Sequence, residues 1–217
     1  MRPYPVVLFD LDGTVLDTTP MIVESLRHTA QAHLPEWGAP EADLVHGIGT
    51  PLEHQFVEHI RLAGRAPDPA LAEAMLATYL DHNLAIHDAR VKPFDGVVAM
   101  LDRLQIRGAT LGIVTSKTTS TARRGLEVTG LLDRFQCLIG KSEVRHFKPH
   151  PEPVLTALAA LGMAAADTVY VGDSPHDLHC GRAAGTATAA ATWGPFPAAT
   201  LRAAQPDHWL THPDDLP

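Results

Sequence analysis

The sequence has few cysteines and no long hydrophobic run. Only two of its 217 residues are cysteines, Cys137 and Cys180, which are too few for a disulfide framework and lack metal-site spacing. Both lie in apolar stretches, so we expect them in the core. No apolar stretch reaches the roughly 20 residues that a membrane-spanning helix needs. Because the N-terminus also lacks the regions of a signal peptide, the sequence predicts a cytoplasmic protein with no membrane partner.

The chain is also poor in positive charge, which argues against nucleic acid as a partner. It has 17 lysines and arginines against 25 aspartates and glutamates, a net charge of −8. A phosphate backbone is bound by a basic face, which this composition does not favour. A phosphorylated substrate would have to be attracted by a metal ion or a few lysines. The 13 histidines include no His-Glu-x-x-His or comparable pairing.

Short apolar runs alternate with helical patterns along most of the chain. The predicted strands are residues 5–9, 110–114, 136–139, 168–171 and 186–191. The final segment either wraps over the surface or adds an edge strand at residues 208–210. Strands that alternate with helices imply parallel pairing and right-handed crossovers. Residues 20–88 instead show helical patterns that prolines and glycines interrupt. We therefore predict an α/β fold with a Rossmann-like parallel sheet core, residues 1–16 and 91–217, and an inserted α-helical cap domain, residues 17–90.

The first predicted strand ends in two closely spaced carboxylates, Asp10 and Asp12. Side chains two residues apart in an extended chain point to the same side, and Gly13 lets the backbone turn sharply after them. Open α/β sheets bind ligands at the carboxyl ends of their strands, so this pair marks a candidate active site. A lone Asp-x-Asp would instead indicate an ordinary turn.

Three further segments place polar residues at or beside strand ends. In chain order they are Thr115-Ser116-Lys117, Lys148, and Asp173 with Asp177. Taken alone, the first is typical of a helix cap, the second of a surface charge, and the third of acids that complement a helix dipole. Together with the first two aspartates, the acids of the third segment could form a site for a hard cation such as Mg²⁺.

The motif that begins at Asp10 and these three segments, in this order, resemble the haloacid dehalogenase-like hydrolase superfamily over nearly the whole chain. The resemblance implies that Asp10 is the nucleophile that forms an aspartyl-phosphate, and that Asp12 is the general acid and base. It also implies Mg²⁺ as the cofactor, held by Asp10, the backbone carbonyl of Asp12, and Asp173. Asp177 would either orient Lys148 or a metal-bound water, or bind the metal directly.

The same resemblance assigns substrate binding to Gly13, Thr115, Ser116, Lys117 and Lys148. Lys148 counts as catalytic as well, because its charge offsets that of the phosphoryl oxygens. A carboxylate cannot easily approach a phosphate dianion, so the metal and this lysine would neutralise the repulsion between them.

Asp12 narrows the expected activity to a phosphatase or a phosphomutase, because dehalogenase members lack an aspartate two residues after the nucleophile. Residues 47–52, 114–117 and 148–155 are most similar to phosphoglycolate phosphatases and PpaX-type pyrophosphatases. We expect the helical insert to act as a lid, with residues 47–52 either contacting substrate or merely connecting two helices. The first hypothesis is Mg²⁺-dependent hydrolysis of a small phosphate monoester, phosphoglycolate-like or pyrophosphate-like.

Two alternatives stay open at this point. A β-phosphoglucomutase-like phosphomutase would need a second phosphate clamp, and none is obvious in the insert. A non-catalytic phosphometabolite-binding protein would not need the complete set of carboxylates. In each case the partner is a small phosphorylated metabolite, and we expect a monomer or a homodimer.

Overall fold

The computed structural model of the chain describes residues 3–48 and 50–217. Its elements are β1 (Val6–Phe9), α1 (Thr19–His33), α2 (Glu41–His46), α3 (Leu52–Leu62), α4 (Pro69–Arg90), α5 (Val97–Ile106), β2 (Thr110–Val114), α6 (Thr119–Val128), β3 (Cys137–Ile139), α7 (Glu152–Leu161), β4 (Thr168–Gly172), α8 (Pro175–Ala183), β5 (Ala187–Ala191), α9 (Ala198–Ala203) and β6 (His208–Leu210). The chain divides into two compact units. One comprises the residues up to Asp17 together with Lys92–Pro217, and the other comprises Thr18–Val91.

The first unit is built on a six-stranded sheet in the order β3-β2-β1-β4-β5-β6, with every neighbouring pair parallel. From β1 the chain moves outward through β2 and β3, then returns to β4 and continues outward on the other side. The strand order therefore reverses between β1 and β4, which is where open α/β sheets bind ligands. The predicted α/β fold class is confirmed.

The composition of the strands follows from their burial. β1 and β4 are buried along their whole length, as expected where helices cover both faces of a parallel sheet. β5 consists mostly of alanine, which has a low strand propensity. Small residues let α8 approach closely: a Cβ added at Gly181 would lie 2.9 Å from Cγ2 of Thr188. Ala189, Ala190 and Ala191 are also completely buried, so the small residues of β5 fit this close packing of helix on sheet.

The register brings the candidate site residues to one edge of the sheet. Phe9 of β1 pairs with Val171 of β4, and the backbone N–H of Asp10 donates to the carbonyl of Val171 at 2.8 Å. Because the strands are parallel, Asp10, Thr115 and Asp173 follow β1, β2 and β4 at the same edge.

Some local features differ from the sequence-based expectations. α2 and α9 have six residues each, too few for a helical period to show in the sequence. Cys180 is buried as expected, but Cys137 is only half-buried because it begins the edge strand β3. Burial raises the pKa of both thiols to about 11.

The second unit contains α1, α2, α3 and α4, with α1 and α3 packed against α4. Asp68 is the N-cap of α4, and its side chain accepts hydrogen bonds from the N–H groups of Ala70 and Leu71. The core of this unit includes Leu26, Ala30, Leu44, Phe56, Ile60, Met75 and Tyr79. Within the described ranges, none of the helices is long and apolar enough to cross a membrane.

Candidate active site

Asp10 and Lys148 form a buried ion pair at the carboxyl end of β1. Nζ of Lys148 donates to Oδ1 of Asp10 at 2.7 Å and to Oδ1 of Asp177 at 2.7 Å. Only 3% of the lysine side chain is exposed, so water screens these pairs weakly. Burial alone would lower the pKa of Lys148, but the two carboxylates outweigh it and raise that pKa, which keeps the ammonium charged.

The segment between β3 and α7 positions Lys148. Its bond to Pro149 is a cis peptide. Glu152, the first residue of α7, accepts the backbone N–H groups of Arg145 and His146 at 2.9 and 3.1 Å. These bonds tie the middle of the segment to the helix, while the lysine side chain extends into the protein to reach the carboxylates.

Asp177 is held by the junction of β4 and α8. Ser174 caps α8: its Oγ donates to Oδ2 of Asp177 at 2.6 Å and accepts the N–H of Asp177 at 3.3 Å. The hydroxyl of Tyr170 lies 3.1 Å from Oδ1 of the same carboxylate. Protein groups therefore engage both oxygens of Asp177.

Asp173 lies in a narrow slot beside the first motif. Oγ1 of Thr14 donates to its Oδ1 at 2.9 Å. A Cβ on Gly13 would lie 2.5 Å from Oδ2 of Asp173, and a Cβ on Gly194 would lie 2.3 Å from Cβ of Asp173. Gly13 also has φ of +88°, which other residues rarely adopt. The slot therefore requires glycine on both sides.

The carboxylates of Asp10, Asp173 and Asp177 form an acidic cluster whose ligand atoms lie within 4.8 Å of one another. Burial raises the pKa of Asp10 to about 7 against the opposing charge of Lys148. Burial and repulsion from the other two carboxylates raise the pKa of Asp173 well above its usual range. Burial also acts to raise the pKa of Asp177, but Lys148 and the bonds from Ser174 outweigh it and lower that pKa.

When its three carboxylates are ionised, the acidic cluster holds more negative charge than the single ammonium of Lys148 offsets. An oxygen-only donor set with uncompensated charge is what a hard divalent cation binds. The residues present fit such an ion, and Mg²⁺ belongs to this class.

Asp12 and the segment after β2 form a second ion pair. Nζ of Lys117 donates to Oδ1 of Asp12 at 2.8 Å. Thr115 is buried, and its Oγ1 accepts the N–H of Lys117 at 3.2 Å, whereas Ser116 is half-buried. The structure thus joins Lys117 to the first motif. The assignment of these residues to substrate binding stays a prediction.

Residues 47–52, for which the sequence leaves both substrate contact and a helix connection open, belong to the helical unit and lead from α2 into the start of α3. Gly49 lies outside the described residues. Oγ1 of Thr50 donates to the carbonyl of Gly47 at 2.7 Å, and a Cβ on Gly47 would lie 2.6 Å from the Gln55 side chain. These contacts account for the segment as a helix connector, and its role in substrate contact stays a prediction.

Several residues that support the site were not singled out from the sequence. Thr14, Ser174 and Tyr170 hydrogen-bond to its carboxylates, Trp193 Nε1 donates to the carbonyl of Thr14 at 2.9 Å, and Gly194 packs against Asp173. A sequence signal was available for Ser174, because Ser-x-x-Asp before a helix is typical of a capping box. Tyr170 reaches Asp177 across the nearby junction of β4 and α8, whereas Thr14, Trp193 and Gly194 depend on contacts between separate segments of the chain.

Comparison with known proteins gives consistent matches. The family model of the haloacid dehalogenase-like hydrolases matches residues 7–191. The chain is 39% identical to the pyrophosphatase PpaX of Anoxybacillus flavithermus over 210 residues, which cover 97% of this chain and 94% of that protein. It is 37% identical to PpaX of Halalkalibacterium halodurans over 211 residues, with the same coverage of 97% and 94%.

Solved structures give the same picture of the fold. A haloacid dehalogenase-like hydrolase from Bacteroides fragilis matches with a TM-score of 0.88 at 28% identity, covering 99% of this chain and 100% of that one. A predicted phosphoglycolate phosphatase from Haemophilus somnus also has a TM-score of 0.88, at 23% identity and with coverage of 100% and 97%. This second similarity shows the fold alone.

Proposed function

The chain belongs to the haloacid dehalogenase-like hydrolases, and we propose that it is a Mg²⁺-dependent enzyme that hydrolyses a small phosphate monoester or pyrophosphate through an aspartyl-phosphate. That it is a phosphatase follows from the family match and from the PpaX relatives. One observation gives the main support for the proposed mechanism. The buried carboxylate of Asp10 lies within an acidic cluster and 2.7 Å from the ammonium of Lys148.

Asp10 is the nucleophile in this proposal. A carboxylate attacks phosphorus only when it is ionised, and burial acts against ionisation by raising the pKa of Asp10 to about 7. The charge of Lys148 favours the ionised form, and its hydrogen bond to Oδ1 fixes the orientation of the carboxylate. Attack by an oxygen of Asp10 forms the acyl phosphate and releases the leaving oxygen.

Asp12 provides the proton transfers in this proposal. It protonates the leaving oxygen in the first step and accepts a proton from the attacking water in the second. General acid–base catalysis of this kind contributes about 10²–10⁴-fold to the rate. The ion pair with Lys117 at 2.8 Å positions the Asp12 carboxylate for this role.

A bound Mg²⁺ would supply positive charge that offsets the repulsion between a phosphate and the carboxylates. Asp10, Asp173 and the backbone carbonyl of Asp12 are the groups that would hold it. Asp177, whose two oxygens are engaged by protein groups, positions Lys148 in this proposal.

Pyrophosphate is the first substrate to test, because the PpaX relatives are named as pyrophosphatases. Phosphoglycolate is the second, because the sequence motifs resemble those of phosphoglycolate phosphatases. With either substrate, we propose that Gly13, Thr115, Ser116, Lys117 and Lys148 hold the phosphoryl oxygens.

The test is a set of initial rates with Mg²⁺ on pyrophosphate, phosphoglycolate and a sugar phosphate. We expect the wild type to release phosphate, and Asp10→Asn to abolish turnover while remaining folded. Asp167→Asn is the matched control, because Asp167 is an exposed carboxylate just before the amino end of β4, opposite to the site. Near-normal rates in Asp10→Asn would remove the proposed nucleophile. Isomerised sugar phosphate would indicate a mutase, and binding without turnover a binding protein.

A second experiment tests whether hydrolysis proceeds through an aspartyl-phosphate, which is a separate question from whether the protein is a phosphatase. Hydrolysis of a phosphorothioate monoester, made chiral at phosphorus with two oxygen isotopes and hydrolysed in water of the third, should proceed with retention of configuration, because an aspartyl-phosphate requires two successive in-line displacements. Inversion would show direct attack by water. That result would contradict the intermediate while leaving the phosphatase activity intact.

A further inference from the structure

A second group of metal-ligating side chains lies outside the acidic cluster. We call His146, His150 and Glu152 the histidine cluster. One ligand atom from each lies within 4.8 Å of the others. Nδ1 of His146 is 2.6 Å from Oε2 of Glu152, Nδ1 of His150 is 4.0 Å from the same oxygen, and the two imidazole centroids are 4.5 Å apart.

The histidine cluster is open to ions in solution. The side chains of His146 and His150 are 64% and 50% exposed, whereas Lys148 between them extends inward to the acidic cluster. The same segment therefore presents an ammonium to the interior and two imidazoles to the exterior.

Hydrogen bonds hold Glu152 in place for such a site. Its two oxygens accept the backbone N–H groups of Arg145 and His146 at 2.9 and 3.1 Å. The bond from Arg145, followed by the interactions with His146, lowers the pKa of Glu152, so its carboxylate is charged. The cluster is thus preassembled by contacts within the segment itself.

We propose that the histidine cluster binds a divalent transition-metal ion of the Zn²⁺ class, with water completing the coordination. Two imidazoles and a carboxylate are a donor set that zinc sites use, and they leave one position open. Imidazole suits Zn²⁺, Cu²⁺ and Ni²⁺, whereas an all-oxygen set suits Mg²⁺. The protein therefore has two cation sites that differ in chemistry, and this one is independent of the reaction proposed above.

A metal ion that binds the histidine cluster has to displace existing hydrogen bonds, and this lowers its affinity. Nδ1 of His150 accepts the backbone N–H of Glu152 at 3.2 Å, and Nδ1 of His146 contacts the Glu152 carboxylate. The ion has to replace these interactions, and the positive end of the α7 dipole opposes it. We therefore expect weaker binding than at a closed structural zinc site with four protein ligands.

The test is calorimetric titration of the full-length protein with Zn²⁺ in the presence of excess Mg²⁺, which competes for the acidic cluster. We expect one equivalent to bind. Loss of an outer-sphere partner costs about 10–100-fold in metal affinity, so loss of a ligand in His146→Ala or His150→Ala should cost at least as much. His179→Ala is the matched control, because His179 is an exposed histidine on α8 outside the cluster.

Two further measurements assign the site. Asp173→Asn alters the acidic cluster and should leave Zn²⁺ affinity unchanged. Co²⁺ used in place of Zn²⁺ should give the intense visible absorption of a four-coordinate ion, lost in the double variant His146→Ala/His150→Ala. The proposal is wrong if the wild type binds no Zn²⁺, if the double variant binds it equally well, or if Asp173→Asn abolishes binding.

Discussion

At the scale of single residues, the site buries charged side chains in the protein interior, which is unfavourable for folding. Lys148 is buried between Asp10 and Asp177, and each partner of such a group depends on the others to stay ionised. Breaking a buried pair costs about 3–5 kcal/mol, because it leaves an uncompensated charge in the interior. Lys148 therefore contributes to stability as well as to the proposed chemistry.

Lys148→Met should lower the free energy of unfolding by about 3–5 kcal/mol. The measurement is urea unfolding at mildly alkaline pH without divalent cations, where the carboxylates are most ionised. The matched control is Lys92→Met, which removes a surface pair: Lys92 lies 3.3 Å from Asp17 and is 68% exposed. Such a pair is worth about 0–1 kcal/mol. Equal losses in the two variants would contradict the role given to Lys148.

Gly13→Ala should damage the reaction more than it damages folding. Gly13 and Gly130 have φ of +88° and +69°, so alanine at either position incurs left-handed strain of about 1–2 kcal/mol. A Cβ on Gly13 would also lie 2.5 Å from Oδ2 of Asp173, whereas nothing lies within 4 Å of a Cβ on Gly130. We therefore expect Gly13→Ala to lose more stability than Gly130→Ala because of this clash, and kcat/KM to fall for Gly13→Ala alone. Equal kcat/KM in the two variants would show that the reaction does not depend on the position of the Asp173 carboxylate beside Gly13.

At the scale of elements, α3 carries a histidine in an apolar setting. His59 is 1% exposed, and its ring packs against Trp37 and Phe56 at centroid distances of 5.1 and 5.9 Å. Within the described part of the chain, neither ring nitrogen has a hydrogen-bond partner. Burial lowers the pKa of His59 to about 4, against the opposing charges of nearby carboxylates. The folded state therefore keeps this imidazole neutral at neutral pH.

This histidine should make stability depend on pH. The unfolded chain takes up the His59 proton near pH 6.5 and the folded chain only near pH 4. Between these values the unfolded state binds more protons, so stability falls as pH falls. One pKa unit corresponds to about 1.4 kcal/mol, which gives a loss of about 3 kcal/mol by pH 4. Urea unfolding across this range should show that loss diminished in His59→Leu.

The matched control for that experiment is His54→Leu, because His54 is exposed on the same helix. The control should keep the pH dependence of the wild type. If His59→Leu keeps it as well, the buried imidazole does not account for the acid sensitivity.

At the scale of the whole molecule, the residues proposed to carry the reaction lie in one of the two compact units. Asp10, Asp12, Lys148, Asp173 and Asp177 all belong to the unit that contains the sheet. The acidic cluster joins the ends of β1 and β4 with the start of α8, so a cation bound there would link three elements of that unit.

Mg²⁺ should therefore stabilise the folded protein, and chelation should remove both this effect and the activity. A ligand present at about 100 times its Kd stabilises the state that binds it by about 2.7 kcal/mol. Thermal unfolding should show a higher Tm with Mg²⁺ for the wild type and for Asp167→Asn, but not for Asp173→Asn. Full activity in EDTA, or an equal Tm shift in Asp173→Asn, would contradict a metal at this cluster.

The sequence by itself predicted much of the α/β architecture. Apolar runs and helical periods are local patterns, so they predicted the α/β class, and they gave residues 208–210 as one of two alternatives, the edge strand that the structure contains. The first motif and Lys148 were found because their residue types and order resemble a known family. The helices α2 and α9 are too short to show such a pattern, so the sequence did not predict them.

Only the tertiary structure decided which charges meet. Lys117 pairs with Asp12 across 105 positions, and Lys148 pairs with Asp10 across 138. The histidine cluster is compact in sequence, yet it was missed. His146 and His150 have the spacing of His-Glu-x-x-His without its glutamate, and their closeness to Glu152 depends on the path of the loop before α7. Side-chain pairing follows from sheet register and loop path, and these result from packing the whole chain rather than from any local pattern of residues.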